Sequence, residues 1–161
     1  MLTHKNRGQS VRALLAAIAV SGATFMSTAA TAQAGWAAPN DNITAYCSGY
    51  TEIGGVKAQD CIVVTRHANG AWVQTILAVS NTSNASRRVR GETHTYLTGV
   101  QKLSFTNCGD TTIGAGGRRW CWGATTNVIG HGRPVSGTGV MYDYTSGWQL
   151  FMYTPLPDWV T

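Results

Sequence analysis

Alternate positions between Arg87 and Leu97, namely Arg88, Arg90, Glu92, His94 and Tyr96, gather the residue types of acid–base chemistry on one face of a β-type run. A carboxylate, an imidazole and a guanidinium side by side can serve as general base, general acid and clamp for an oxyanion or a phosphate. His131, in the Gly-rich stretch Gly130-His131-Gly132-Arg133-Pro134, would add a second acid if that loop folded over Glu92 and His94. The plainer reading is a solvated strand face on which opposite charges alternate.

Other catalytic chemistries lack their residues. The stretch Ser136-Gly137-Thr138-Gly139 does not match the G-x-S-x-G nucleophile elbow, and Gly114-Ala115-Gly116-Gly117 has neither the lysine nor the following helix of a phosphate loop. Glu92, His94 and His131 have no metal-binding spacing, and no C-x-x-C pair exists for zinc. No metal, cofactor or redox chemistry is therefore expected.

Aromatic residues are the second group above background. Beyond residue 34 the chain carries six Trp, six Tyr and two Phe. The run RRWCWG, Arg118 to Gly123, read as a strand, puts Arg118, Trp120 and Trp122 on one face and Cys121 on the other. Rings beside polar groups suit a sugar or a protein surface, because they offer large apolar area at low entropic cost. The expected binding residues are Arg118, Trp120 and Trp122, together with His131 and Arg133 from the neighbouring loop. Most of the remaining rings are expected in the core, with Trp36 and Trp159 exposed near the ends.

These residues need a β framework to hold them. Short β-type runs alternate with clusters of Gly, Asn, Ser and Asp, and no segment of useful length has helical periodicity. Cys61 to Val79 reads as a hairpin turning at Asn69-Gly70, with Ala68 opposite Ala71 and His67 opposite Trp72. Its second strand is apolar on both faces and should be central. Val100 to Asn107 should follow with Leu103 and Phe105 inward, then a turn at Cys108-Gly109-Asp110. A last hairpin, Gly139 to Tyr144 and Trp148 to Thr154, turns at Ser146-Gly147. Seven or eight such strands predict an all-β, disulfide-stabilised antiparallel sandwich, Ig-like or jelly-roll-like, with a small β-barrel as the alternative.

The N-terminus sets the compartment. Lys5, Arg7 and Arg12 precede the apolar run Ala13 to Val20, and Ala32-Gln33-Ala34 fits signal peptidase, so residues 1–34 read as a signal peptide. The apolar run is far shorter than the roughly 20 residues of a membrane span. Residues 35–42 then read as a short irregular leader and 43–161 as a single β domain. Removing the signal takes three of twelve basic residues and none of seven acids, leaving a formal charge of +2. That weak excess argues against a nucleic-acid partner.

In an exported chain, Cys47, Cys61, Cys108 and Cys121 read as two disulfides. The short separations favour Cys47 with Cys61 and Cys108 with Cys121, each closing a loop worth about 3 kcal/mol on the chain-entropy model.

In general build, with an Ala-rich leader, two short-range cysteine pairs and a Trp-rich β domain, the chain resembles the small secreted β-sandwich proteins of actinobacteria. This resemblance lies in composition rather than in a diagnostic motif, and it implies a bacterial, extracellular protein. The residues together predict a secreted binding module for a glycan, a cell-envelope polymer or a protein surface. A secreted inhibitor of an extracellular hydrolase, presenting the disulfide-braced loop Gly114 to Trp122, is a close alternative. A small ribonuclease-like hydrolase using Glu92, His94 and Arg90 is the alternative of a different class.

Overall fold

The computed structural model describes residues 34–97, 101–130 and 134–156. The stretch read as a signal peptide, apart from Ala34, lies outside them, as do His131, Arg133 and Trp159. In chain order the strands are β1 (Gly35–Ala37), β2 (Ala45–Cys47), β3 (Thr51–Ile53), β4 (Val56–His67), β5 (Gly70–Asn81), β6 (Arg87–Leu97), β7 (Gln101–Ile113), β8 (Arg118–Trp122), β9 (Thr126–Ile129), β10 (Val135–Asp143) and β11 (Trp148–Leu156). All pairings are antiparallel. One sheet runs β1-β8-β5-β4-β2, with β3 also on β4 and β9 also on β5; the other runs β11-β10-β6-β7. Two open-edged sheets make a sandwich rather than the barrel alternative. No helix among the described residues is long and apolar enough to cross a membrane.

Alternation along each strand divides inside from outside. In β6, Val89, Gly91, Thr93, Thr95 and Leu97 are buried, whereas Arg88, Arg90, Glu92, His94 and Tyr96 lie outward, as the period of two predicts. Between the sheets lie two apolar clusters. One joins Val56, Ala58, Leu77 and Val79 to Val89, Met141, Leu150 and Met152; the other joins Ile62, Ala71, Val73 and Val128 to Leu97 and Val135. A polar waist crosses the same interior, with Asp60, Thr75, Thr93, Thr95 and Thr154 all buried. β5 is central as expected, paired with β4 on one side and with β8 and β9 on the other.

Four local expectations give way to packing. The β4–β5 hairpin turns at Ala68-Asn69, so His67 pairs with Gly70 and Thr65, not His67, faces Trp72. Gly70 is taken into the strand because β9 crosses it closely: a Cβ there would sit 2.0 Å from the Val128 carbonyl oxygen. Cys108-Gly109-Asp110 is not a turn. β7 runs through it with a bulge, since Gly91 opposes Gly109 while Glu92 opposes Asn107, leaving Cys108 as the extra residue. A second bulge leaves Leu103 between Ser104, opposite Thr95, and Lys102, opposite Tyr96. Past it the facing inverts, and Phe105 stands outward and exposed instead of in the core.

The fourth correction is at the N-terminal side. Gly35 to Ala37 form a strand on β8, with Trp36 opposite Cys121. Trp36 is accordingly half-buried against the first apolar cluster, and its Nε1–H donates to the Gly109 carbonyl at 2.8 Å. The two disulfides join Cys47 to Cys61 and Cys108 to Cys121, the pairing that sequence separation favours. The first links neighbouring strands β2 and β4, and the second ties β7 of one sheet to β8 of the other.

Candidate functional site

The outer face of the larger sheet carries a groove because small and large side chains alternate across three strands. On β8 the alternation sends Cys121 inward to its disulfide and Arg118, Trp120 and Trp122 outward. Opposite them on β5 stand Ser80, Ala78 and Ile76 respectively. Ala78 in turn faces Gln59 of β4, and Ile76 faces Cys61. Short Ala78 and Ser80 between tall Trp120 and Gln59 leave a hollow. The chain between β1 and β3 walls it with Asp41, Ile43, Ala45, Cys47 and Tyr50, enclosing about 230 Å³.

Each wall has a physical support. Trp122 is only 9% exposed and packs on Cys61 and Ile76, with its ring centroid 5.7 Å from that of Trp120, so it braces Trp120 and is not itself a platform. Gln59 Nε2 donates to the Ser48 carbonyl at 2.6 Å, which holds the segment before Tyr50 against β4. Tyr50 stands 59% exposed with the Lys57 ammonium 4.3 Å from its ring centroid. At the rim the Arg118 guanidinium reaches the Asp41 carboxylate through contacts of 3.2 and 3.5 Å, with both side chains more than half exposed.

Of the residues singled out in the sequence for binding, Arg118 and Trp120 line this groove and Trp122 supports it. Sequence reasoning missed Asp41, Tyr50, Gln59 and Ser80. Their roles depend on which strands lie beside β8, and local pattern does not carry that information.

The row expected to be enzyme-like lies on the other sheet. Arg90 Nη2 donates to Glu92 at 2.8 Å, and Arg88 is paired with Asp110, whose carboxyl is held below its usual range first by that hydrogen bond. His94 has its ring stacked beside Tyr96 and tilted 4.9 Å from Phe105. Burial lowers its pKa, the charge of Lys102 adds to this, and Glu92 opposes it. Glu92 is thus paired with Arg90, and His94 packs against Tyr96 and Phe105. Across the strands this face continues through Thr138, Val140 and Tyr142 to Phe151 and Tyr153, both exposed.

No family model matches the chain, and no curated protein matches it. Among solved structures it is similar to a β-glucuronidase of Bacteroides uniformis, at 13% identity and TM-score 0.44, over 59% of this chain and 12% of that one. It is also similar to β-glucuronidase 2 of the same organism, at 11% identity and TM-score 0.44, over 58% and 12%. The chain therefore matches a small part of the length of either enzyme. Likeness at this level identifies neither a ligand nor an activity for this chain.

Proposed function

We propose that this chain is an exported, non-catalytic binding module that holds a glycan in the groove of its larger sheet. The observation that carries the reading is Trp120: an indole held outward and braced by Trp122, over a floor of Ala78 and Ser80, with Tyr50 across the hollow. An aromatic face offers the apolar surface that the C–H groups of a sugar ring need, while Gln59 and Ser80 offer donors and acceptors for its hydroxyls. Two disulfides support an extracytoplasmic location.

The test is a titration of the protein with cell-wall and plant oligosaccharides, followed by calorimetry and tryptophan fluorescence. Trp120→Ala is expected to weaken binding roughly tenfold or more, as loss of a central ring does. Trp148→Ala, removing an exposed ring outside the groove, is expected to leave affinity unchanged. If Trp120→Ala binds like the parent while Phe151→Ala and Tyr153→Ala do not, the ligand sits on the smaller sheet and the assignment is wrong.

A further inference from the structure

The charges at the groove point beyond a glycan in general to a particular class. The groove's own lining holds one cation, Arg118, and one carboxylate, Asp41, and these two are joined to each other. A second cation, Lys57, stands over Tyr50 on the opposite wall. Asp41 belongs to the turn before β2, where the Asn40 side chain accepts from the Asn42 N–H, and not to a strand. Its contacts with Arg118 are long and exposed, a pairing that water and salt weaken and that contributes little to holding the fold.

We propose that the groove selects sugars that carry a ring carboxylate, with Arg118 as the group that receives it and Asp41 as the built-in competitor it displaces. This rests on the glycan reading above. A guanidinium presents parallel N–H donors that match both oxygens of a carboxylate. An incoming uronate exchanges one exposed carboxylate partner of Arg118 for another, so the guanidinium never loses its counter-charge. Its ring meanwhile gains the Trp120 face. A neutral sugar leaves the Arg118–Asp41 pair closed across the rim and gains only the stacking and the hydroxyl contacts with Gln59 and Ser80. The positive charge of Lys57 on the far wall, offset in part by its cross-strand partner Glu52, acts in the same direction for the acidic ligand and does nothing for the neutral one.

The experiment uses the mature protein with two probes, oligogalacturonides and hyaluronan oligosaccharides, each beside its carboxyl-reduced form. For the parent protein at low salt, at least one acidic probe is expected to bind about tenfold tighter than its reduced form, with the gap narrowing as salt rises. Asp41→Asn removes the competitor and is expected to tighten acidic binding severalfold while leaving neutral binding unchanged. Arg118→Gln is expected to abolish the preference, with Arg118→Lys restoring part of it. Thermal melts of all three variants are expected to match the parent, since the pair is exposed. Equal binding of acidic and reduced probes would overturn the acid selection and leave the glycan site standing. Acidic binding that Asp41→Asn leaves unchanged overturns the competitor role of Asp41 and likewise leaves the glycan site standing. No binding of either form of either probe, alongside binding of a neutral cell-wall oligosaccharide abolished by Trp120→Ala, rejects the uronate class alone. Failure of every oligosaccharide rejects both.

Discussion

Asp60 gives the sharpest test of how the interior is built. It sits on the inner face of β4, fully buried, with neither carboxyl oxygen hydrogen-bonded. The Thr154 hydroxyl beside it donates to the Asp60 main-chain carbonyl at 2.8 Å. Across the sandwich, the backbone of β10 approaches at two glycines. A Cβ at Gly137 would lie 2.9 Å from Oδ2, and one at Gly139 would lie 3.0 Å from Oδ1. The same two glycine positions lie against the apolar side chains of Ile62 and Leu77 and the Thr75 methyl. Burial holds its pKa well above the ordinary carboxyl value of 3.8, and Thr154 opposes the shift only in part.

The sign follows from proton counting. Between the ordinary value and the raised one, the folded chain holds a proton that the unfolded chain has lost. Stability is then fully present below about pH 4 and falls as pH rises, by about 1.4 kcal/mol per pH unit for one group. Each pH unit over which the buried carboxyl stays protonated therefore removes about 1.4 kcal/mol, or several degrees in Tm for a domain of this size. Asp60→Asn keeps the shape and removes the titration. Its buried amide costs about 1–3 kcal/mol at every pH, so the variant is expected to be the less stable in acid and the more stable near neutrality. Urea unfolding from pH 3.5 to 8 on both proteins measures this. His94, with its lowered pKa, contributes stability that is present above pH 6.5 and lost as pH falls. Asp110 contributes stability lost below 3.8. Both act in parent and variant alike and cancel in the difference. Parallel curves with no crossing would refute the reasoning, because an ionisable group with no partner in the interior cannot be silent.

Further outcomes are expected elsewhere. Gly91→Ala puts a methyl 2.6 Å from the Trp36 ring and is expected to destabilise the fold by about 1–3 kcal/mol, read by urea unfolding, with Trp36 emission shifted to the red. Replacing Cys108 and Cys121 by serine removes the cross-sheet tie and is expected to cost about 3 kcal/mol, measured the same way. Glu92→Gln combined with His94→Ala is expected to leave oligosaccharide affinity at the groove unchanged by calorimetry, since both residues lie on the other sheet.

What the sequence made legible was whatever depends on near neighbours. The alternation of β6, the outward Arg118 and Trp120, the disulfide pairing and the last hairpin follow from period and separation. The failures share one cause, contacts between distant segments. Asn69-Gly70 has the residues of a tight turn, yet β9 crossing at Val128 claims the glycine. Phe105 has the parity of Leu103, and a bulge reverses it. Trp36 follows a glycine in a stretch that reads as irregular, and β8 supplies an edge for it. The groove was half visible, because its aromatic and cationic side is local to β8, whereas its acidic and phenolic side comes from a segment about 70 residues earlier that only the sheet order brings across.

The two disulfides differ in what a reductant can reach. Cys121 is fully buried, whereas Cys47 is exposed and, with Cys61, lines the groove. Thiolate attack requires access, so the Cys47–Cys61 bridge is the first to open. Its loss releases β2 from β4 on the side that carries the wall from Ala45 to Tyr50, while the cross-sheet bridge keeps the two sheets joined. Mild reduction should then separate recognition from folding, with a chain that still melts cooperatively but no longer grips its ligand. If the groove binds as proposed, its competence is tied to redox poise through the Cys47–Cys61 bridge.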